Sequence, residues 1–169
     1  MDKFQQTAME MMEFIEKSPT CFHAIANLKE MLTEQGFVEW KENESWEVKP
    51  GSGYFVTRND SSLIAFQVPE CADGRVTVGA GGLQGFHIVA SHSDSPSFKV
   101  KESPEMTVEN TYVKLNTEKY GGMIMSTWLD RPLSVAGRVM VETEEGVQSR
   151  LVDIDRDLLL IPNVAIHMN

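Results

Sequence analysis

The feature that most constrains the fold is an almost uninterrupted apolar run in the middle of the chain, Phe86-His87-Ile88-Val89-Ala90-Ser91. Short apolar runs bounded by turn residues are typical of strands that are buried on both faces of a parallel or mixed sheet. Glycine-rich sequence precedes this run, and a polar stretch follows it. We therefore expect a buried strand over residues 86–91.

Two helices are predicted ahead of this run. Apolar residues recur at helical spacing from Phe4 to about Lys17, with polar and charged side chains between them. The sequence Ser18-Pro19-Thr20 interrupts the pattern, and a second helix follows, with Thr20 as its N-cap and Gly36 at its end. The methionines of the first helix stand at core spacing, so we expect them to pack inside the protein.

Short strands are predicted in the rest of the chain, and together with the helices they indicate an α/β fold. The runs 37–40, 54–58 and 62–68 lie between turn residues, and the last two predict a hairpin around Asn59-Asp60. After residue 97 the signals are almost entirely β, in the runs 98–101, 111–115, 137–142, 149–154 and 158–161. A second, β-rich unit is expected to begin near residue 100.

Charge and cysteine usage exclude several classes of protein. A net charge of -10 and a pI near 4.8 repel a nucleic-acid backbone, so no nucleic-acid partner is expected. Cys21 and Cys71 form no CxxC pair, so neither a disulfide framework nor a thiolate zinc site is indicated. No stretch has the composition of a signal peptide or the length of a membrane span. We expect a cytoplasmic protein that does not enter a membrane.

A candidate metal site follows the apolar run, in Ala90-Ser91-His92-Ser93-Asp94-Ser95-Pro96. Ligands of α/β proteins collect beyond the carboxyl ends of strands, which is where His92 is expected to lie. Residues i and i+2 share a face of an extended chain, so His92 could bind zinc while Asp94 orients its ring. A zinc site needs at least two further ligands, and the sequence offers no obvious set.

Two other kinds of site are disfavoured. Serines surround His92, but the chain has no G-x-S-x-G elbow, which argues against a serine hydrolase. The stretch from Gly79 to Gly85 precedes a predicted strand and not a helix, so we interpret it as a flexible turn and not as a phosphate-binding loop.

Five blocks of sequence resemble the aspartyl aminopeptidase and aminopeptidase I family. They run in the family's order across nearly the whole chain, and each is several residues long, so chance agreement is remote. The blocks are Ser-Pro-Thr-Cys-Phe-His-Ala at 18–24, Ala-Ser-His-Ser-Asp-Ser-Pro at 90–96 with Phe98-Lys99-Val100-Lys101, Tyr120-Gly121-Gly122, the stretch from Trp128 to Val139, and Ile-Pro-Asn-Val-Ala-Ile-His at 161–167.

The resemblance implies a metal-dependent aminopeptidase that releases one N-terminal amino acid from a peptide and binds two divalent metals, usually zinc. Residues 1–97 would begin its α/β catalytic domain, and residues 98–169 would form part of an inserted β-rich dimerisation domain that builds a homo-oligomer. By the same resemblance, His92 falls on the first metal ligand and Asp94 on the carboxylate beside the metal site. His167 falls on the histidine that the insert offers to the substrate in a neighbouring subunit.

The resemblance also implies that essential parts lie elsewhere. The family's remaining ligands and its glutamate general base lie downstream of the insert, so we expect an N-terminal fragment that is inactive alone. Leu129 and Pro132 depart from the family pattern, which often has an aromatic and an acidic residue there. The alternative is a non-catalytic oligomerisation or binding module. A metal-dependent deacetylase or carboxypeptidase agrees less well with the matched blocks, and an acidic substrate preference stays open.

Overall fold

The computed structural model describes residues 2–70, 76, 83 and 85–168. In these residues two α-helices are followed by short strands, which confirms the predicted mixed α/β class. The chain divides into two compact units, Met1–Ser93 with Gly137–Val152 and Asp94–Ala136 with Asp153–Asn169. The predicted domains 1–97 and 98–169 stay a prediction.

The two helices, α1 (Lys3–Glu16) and α2 (Cys21–Glu34), begin at side-chain caps. The Gln5 backbone N–H donates to Asp2 Oδ1 at 2.8 Å, and the Gln5 side chain accepts from the Asp2 backbone at 3.2 Å, which forms a capping box. Thr20 Oγ1 accepts from the backbone N–H of His23. Both predicted helices and the Thr20 cap are confirmed. Among the described residues, no helix has the length and apolar character needed to cross a membrane.

The prediction that the methionines of α1 pack inside the protein is wrong. No residue of α1 is buried, and Met11 and Met12 are each 57% exposed. Helical spacing determines only which residues share a face, whereas burial of that face requires a second element to cover it. α1 packs against α2, which leaves this face open.

A three-stranded sheet forms the centre of the first unit, in the order β1 (Val38–Glu39), β2 (Gly53–Arg58) and β3 (Ser62–Gln67). β1 runs parallel to β2, and β3 runs antiparallel to it. The hairpin between β2 and β3 turns at Asn59 and Asp60, whose φ angles are +53° and +51°. Asparagine and aspartate tolerate this left-handed region and suit a type I′ turn, so the predicted hairpin is confirmed.

The hydrophobic core of the first unit lies around β2. Trp40 stacks on Tyr54 with the ring centroids 3.9 Å apart. The buried apolar side chains of the described residues are Ala24, Ile25, Tyr54, Phe55, Val56 and Val68.

The predicted buried strand over residues 86–91 is wrong. The structure has no strand there, and Phe86, Ile88 and Val89 are 77%, 83% and 99% exposed. A buried strand needs hydrogen-bonding neighbours for its backbone and a layer of side chains over each face. None of the strands that the described residues form pairs with this run. The run has the expected apolar character but has no strand partner among the described residues.

The predicted β character after residue 97 is confirmed. The strands are β4 (Ser97–Val108), β5 (Tyr112–Tyr120), β6 (Pro132–Leu133), β7 (Ala136–Thr143), β8 (Gly146–Asp153) and β9 (Leu159–Leu160). β4 pairs antiparallel with β5, β6 pairs antiparallel with β9, and β7 pairs with β8. Each of these pairs is a separate two-stranded sheet.

Arg138 of β7 connects the β7–β8 hairpin to the rest of the first unit. The Arg138 guanidinium donates to the backbone carbonyl of Asn59 at 2.8 Å and lies 4.1 Å from the centroid of the Phe22 ring. Arginine over an aromatic face combines a cation–π attraction with apolar contact. The contact lies within the unit that contains residues 137–152, α2 and the β2–β3 turn.

Candidate functional site

The predicted metal ligand, His92, lies at the end of the first unit and is exposed. It belongs to an irregular segment, so the extended strand end that the sequence predicted for it is absent. The next residue ties this segment to the sheet, because Ser93 Oγ donates to the backbone carbonyl of Ser61 at 2.8 Å. His92 is therefore held beside the start of β3 by its neighbour.

The predicted carboxylate, Asp94, is half-buried at the beginning of the second unit. Its Oδ2 accepts a hydrogen bond from the hydroxyl of Tyr120. Tyr120 is the last residue of β5, and the pairing of β4 with β5 places it opposite Ser97. The strand register thus brings the tyrosine next to the segment that carries Asp94.

His167, the predicted substrate-binding histidine, is exposed in a short 3₁₀ turn, Ile166–Met168. The segment before it is anchored at Asp130. The Asp130 backbone N–H donates to the Ile161 carbonyl at 2.9 Å, and Asp130 Oδ1 accepts from the Asn163 N–H at 2.8 Å. These bonds join the block from Trp128 to the block that ends at His167.

The side chains of His92 and Asp94 are of the kinds that bind zinc, but they do not make up a complete set of zinc ligands. Imidazole nitrogen and carboxylate oxygen are ordinary zinc donors, and His92 is accessible to a metal. Nowhere in residues 2–70 or 85–168 do three or more His, Cys, Asp or Glu side chains come together as a metal-binding group. The roles of His92, Asp94 and His167 stay predictions.

Tyr120 contacts Asp94, although the sequence pattern assigns it no role. It lies in the block Tyr120-Gly121-Gly122 that resembles the family. The signal lay in strand pairing: if β4 begins at Ser97, an antiparallel partner ending at residue 120 approaches Asp94. The sequence predicted strands at 98–101 and 111–115, but neither the extension of β5 to Tyr120 nor the register of the pair.

The sequence model of a family described as Aminopeptidase I zinc metalloprotease (M18) matches residues 14–169. A probable M18 family aminopeptidase 2 of Clostridium novyi is 47% identical over 166 residues, which cover 96% of this chain and 36% of that protein. Aspartyl aminopeptidase 1 of Schizosaccharomyces pombe is 43% identical over 165 residues, 96% of this chain and 33% of that protein. The chain therefore spans about a third of the length of these relatives.

Solved structures resemble the chain over the same extent. A chain in the cryo-EM structure of the Ape4 and Nbr1 complex superposes with a TM-score of 0.85 at 43% identity, covering 96% of this chain and 30% of that one. The S. cerevisiae mApe1 dodecamer superposes with a TM-score of 0.78 at 25% identity, covering 98% of this chain and 37% of that one.

Proposed function

The chain belongs to the aminopeptidase I zinc metalloprotease family, M18. We propose that it is part of a metal-dependent aminopeptidase that removes one amino acid from the N-terminus of peptides. One observation carries the proposal: relatives named as aminopeptidases are 47% and 43% identical across 96% of the chain. A preference for acidic N-terminal residues is supported by the relative named aspartyl aminopeptidase 1.

The metal of the proposed enzyme is zinc, as the family's description supports, with two ions per full-length subunit by the family resemblance. When bound, zinc would supply Lewis-acid chemistry at the scissile carbonyl and would lower the pKa of a water molecule. His92 would hold one ion through a ring nitrogen, and its exposed position supports that role. Asp94 would orient the His92 ring through its carboxylate, which accepts a hydrogen bond from the Tyr120 hydroxyl.

His167 is proposed to grip the substrate or to stabilise the oxyanion in the active site of a neighbouring subunit. Residues 98–169 would then contribute to an inserted β-rich dimerisation domain. A homo-oligomer is supported by the mApe1 dodecamer, which superposes on 98% of the chain. On this proposal, activity depends on assembly, and replacing His167 by alanine lowers kcat by roughly 100-fold, the loss typical of one oxyanion donor.

The 169 residues alone are proposed to be inactive and the full-length protein to be cytoplasmic. Inactivity is supported by coverage, because the chain spans only about a third of the length of these relatives. By the family resemblance, the remaining metal ligands and the general base lie beyond the insert. The cytoplasmic location is supported by cysteine usage, with Cys21 as a free thiol.

The experiment that tests this function assays the full-length gene product on peptides that begin with Asp, Glu or Leu, with and without a chelator. Chelator-sensitive release of the first residue is expected from the full-length product and not from residues 1–169. His92→Ala should lower kcat/KM by at least about 100-fold, because a lost ligand costs more than a lost outer partner. His87→Ala, five residues earlier, is the matched control and should retain activity. If no residue is released with any metal, the chain is better explained as an oligomerisation or binding module.

A further inference from the structure

We propose that Tyr120 is a positioning residue, whose hydroxyl holds the Asp94 carboxylate in the orientation that the metal site uses. The contact that supports this role is the hydrogen bond from the Tyr120 hydroxyl to Asp94 Oδ2. The inference rests on the proposed function, because the role of Asp94 beside the metal is part of that proposal. It adds a residue outside the His-x-Asp sequence to the machinery of that site.

The backbone brings Tyr120 to this place independently of the hydroxyl. β4 and β5 pair in register at Ser97 and Tyr120, and at Phe98 and Lys119 beside them. Asp94 lies only three residues before Ser97, so the end of β5 lies alongside the segment that carries the carboxylate. Strand pairing therefore places the ring beside this segment whether or not the hydrogen bond forms.

The turn directly after Tyr120 reinforces this approach. Gly121 has a φ of +75°, and a Cβ added there would lie 3.4 Å from Cα, Cβ and Cγ of Pro96. This left-handed conformation favours glycine, and the turn lies within van der Waals distance of Pro96. Phe98 packs edge-on against Trp128 with centroids 5.4 Å apart, which also holds the beginning of β4.

The hydrogen bond has a direct consequence for the carboxylate. Because one carboxylate oxygen accepts from the Tyr120 hydroxyl, rotation about Cβ–Cγ of Asp94 is restricted and the direction of the other oxygen is biased. Groups that orient the ligands of a metal site contribute about 10- to 100-fold to metal affinity or activity. Losing the hydroxyl alone should therefore weaken zinc binding without removing any ligand.

The test compares Tyr120→Phe with Tyr112→Phe in the full-length protein. Phenylalanine keeps the ring and removes only the hydroxyl. Tyr112 lies at the other end of β5, opposite Val108, and is the matched control. The measurements are the zinc dissociation constant, from competition with a chromophoric chelator on metal-free protein, and separate values of kcat and KM. A thermal unfolding curve checks that each variant folds.

We expect Tyr120→Phe to weaken zinc binding by about 10-fold and to lower kcat by a similar factor, with KM within about twofold. Tyr112→Phe should match the wild type in all three quantities. In an Asp94→Ala background, Tyr120→Phe should have no further effect on zinc binding, because the hydroxyl acts through that carboxylate.

Three results would overturn the inference. The first is wild-type zinc affinity and kcat in Tyr120→Phe, and the second is an equal loss in Tyr112→Phe. The third is an undiminished effect of Tyr120→Phe in the Asp94→Ala background. If the wild-type protein itself shows no chelator-sensitive aminopeptidase activity, the proposed function fails and the inference fails with it. The wild-type assay thus separates the two failures.

Discussion

Two apolar runs of similar character have opposite surroundings in this protein. In β2, Phe55 is 1% exposed and its neighbours Tyr54 and Val56 are also buried. In the run 86–91, Val89 is 99% exposed. β2 has β1 on one side and β3 on the other, whereas no strand of the described residues pairs with the second run. Apolar character makes burial favourable, but only a neighbouring strand and a covering layer make it possible.

Hydrogen exchange gives the largest expected contrast between these two runs. The amides of β2 should exchange at least about a thousandfold more slowly than those of residues 86–91, because they open only with the stable core. The measurement is amide exchange of the 169-residue chain followed by NMR or mass spectrometry. Equal protection of the two runs would show that the amides of residues 86–91 are hydrogen-bonded to another segment, and the contrast with β2 would not hold.

Removing one aromatic ring from each run tests the contrast in stability. Phe55→Ala should lower the free energy of unfolding by about 3–5 kcal/mol, because it leaves a cavity in the core. Phe86→Ala, at a residue that is 77% exposed, should change it by about 0.5 kcal/mol or less. Urea unfolding of both variants supplies the values. A large loss in Phe86→Ala would contradict the exposed placement of that ring.

Two glycines allow a smaller version of the same test. A Cβ at Gly53, the first residue of β2, would lie 2.7 Å from ring atoms of Phe37, whereas one at Gly85 would meet nothing within 4 Å. Gly53→Ala should therefore destabilise the protein by about 1–3 kcal/mol through overpacking. Gly85→Ala should be neutral or stabilising by up to about 1 kcal/mol, because it restricts the unfolded chain. Thermal unfolding of the pair would distinguish them, and similar midpoints would refute the close contact with Phe37.

The ion pair between β1 and α2 should give the smallest effect. Burial raises the pKa of the Glu39 carboxyl, but the hydrogen bond and charge of Lys29, 2.9 Å away, together with Lys41, outweigh it and lower the pKa below the ordinary 4.5. A lowered folded-state pKa stabilises above the unfolded-state value, and this contribution disappears as pH falls through the folded-state pKa. Glu39→Gln should cost about 0.2–1 kcal/mol at pH 7.

The pH dependence is what identifies this ion pair. The difference in unfolding free energy between wild type and Glu39→Gln should shrink as the pH falls below about 4.5, where the carboxylate gains its proton. Glu44→Gln, in the exposed loop after β1, is the control and should change stability by about 0.5 kcal/mol or less. A Glu39→Gln effect that does not shrink as the pH falls would show that the contribution is not electrostatic.

Short-range interactions account for the parts of the fold that could be predicted. Thr20 caps α2 within one turn, and Asn59-Asp60 suits the hairpin turn on its own, so both signals lie within a few residues. The family blocks are also local, and the predicted family is confirmed by the match over residues 14–169. The predictions that failed, the α1 methionines and the run 86–91, both assumed a covering element that the pattern itself does not contain.

The candidate site divides in the same way. The side chains available for zinc chemistry follow from the sequence, because His92 and Asp94 are two residues apart and their donor atoms are intrinsic to the side chains. The contact between the Tyr120 hydroxyl and Asp94 depends on the fold, because the two residues are 26 positions apart and the register of β4 on β5 brings them together. Local chemistry can be read from neighbouring residues, whereas burial and side-chain orientation depend on partners that strand pairing brings from far along the chain.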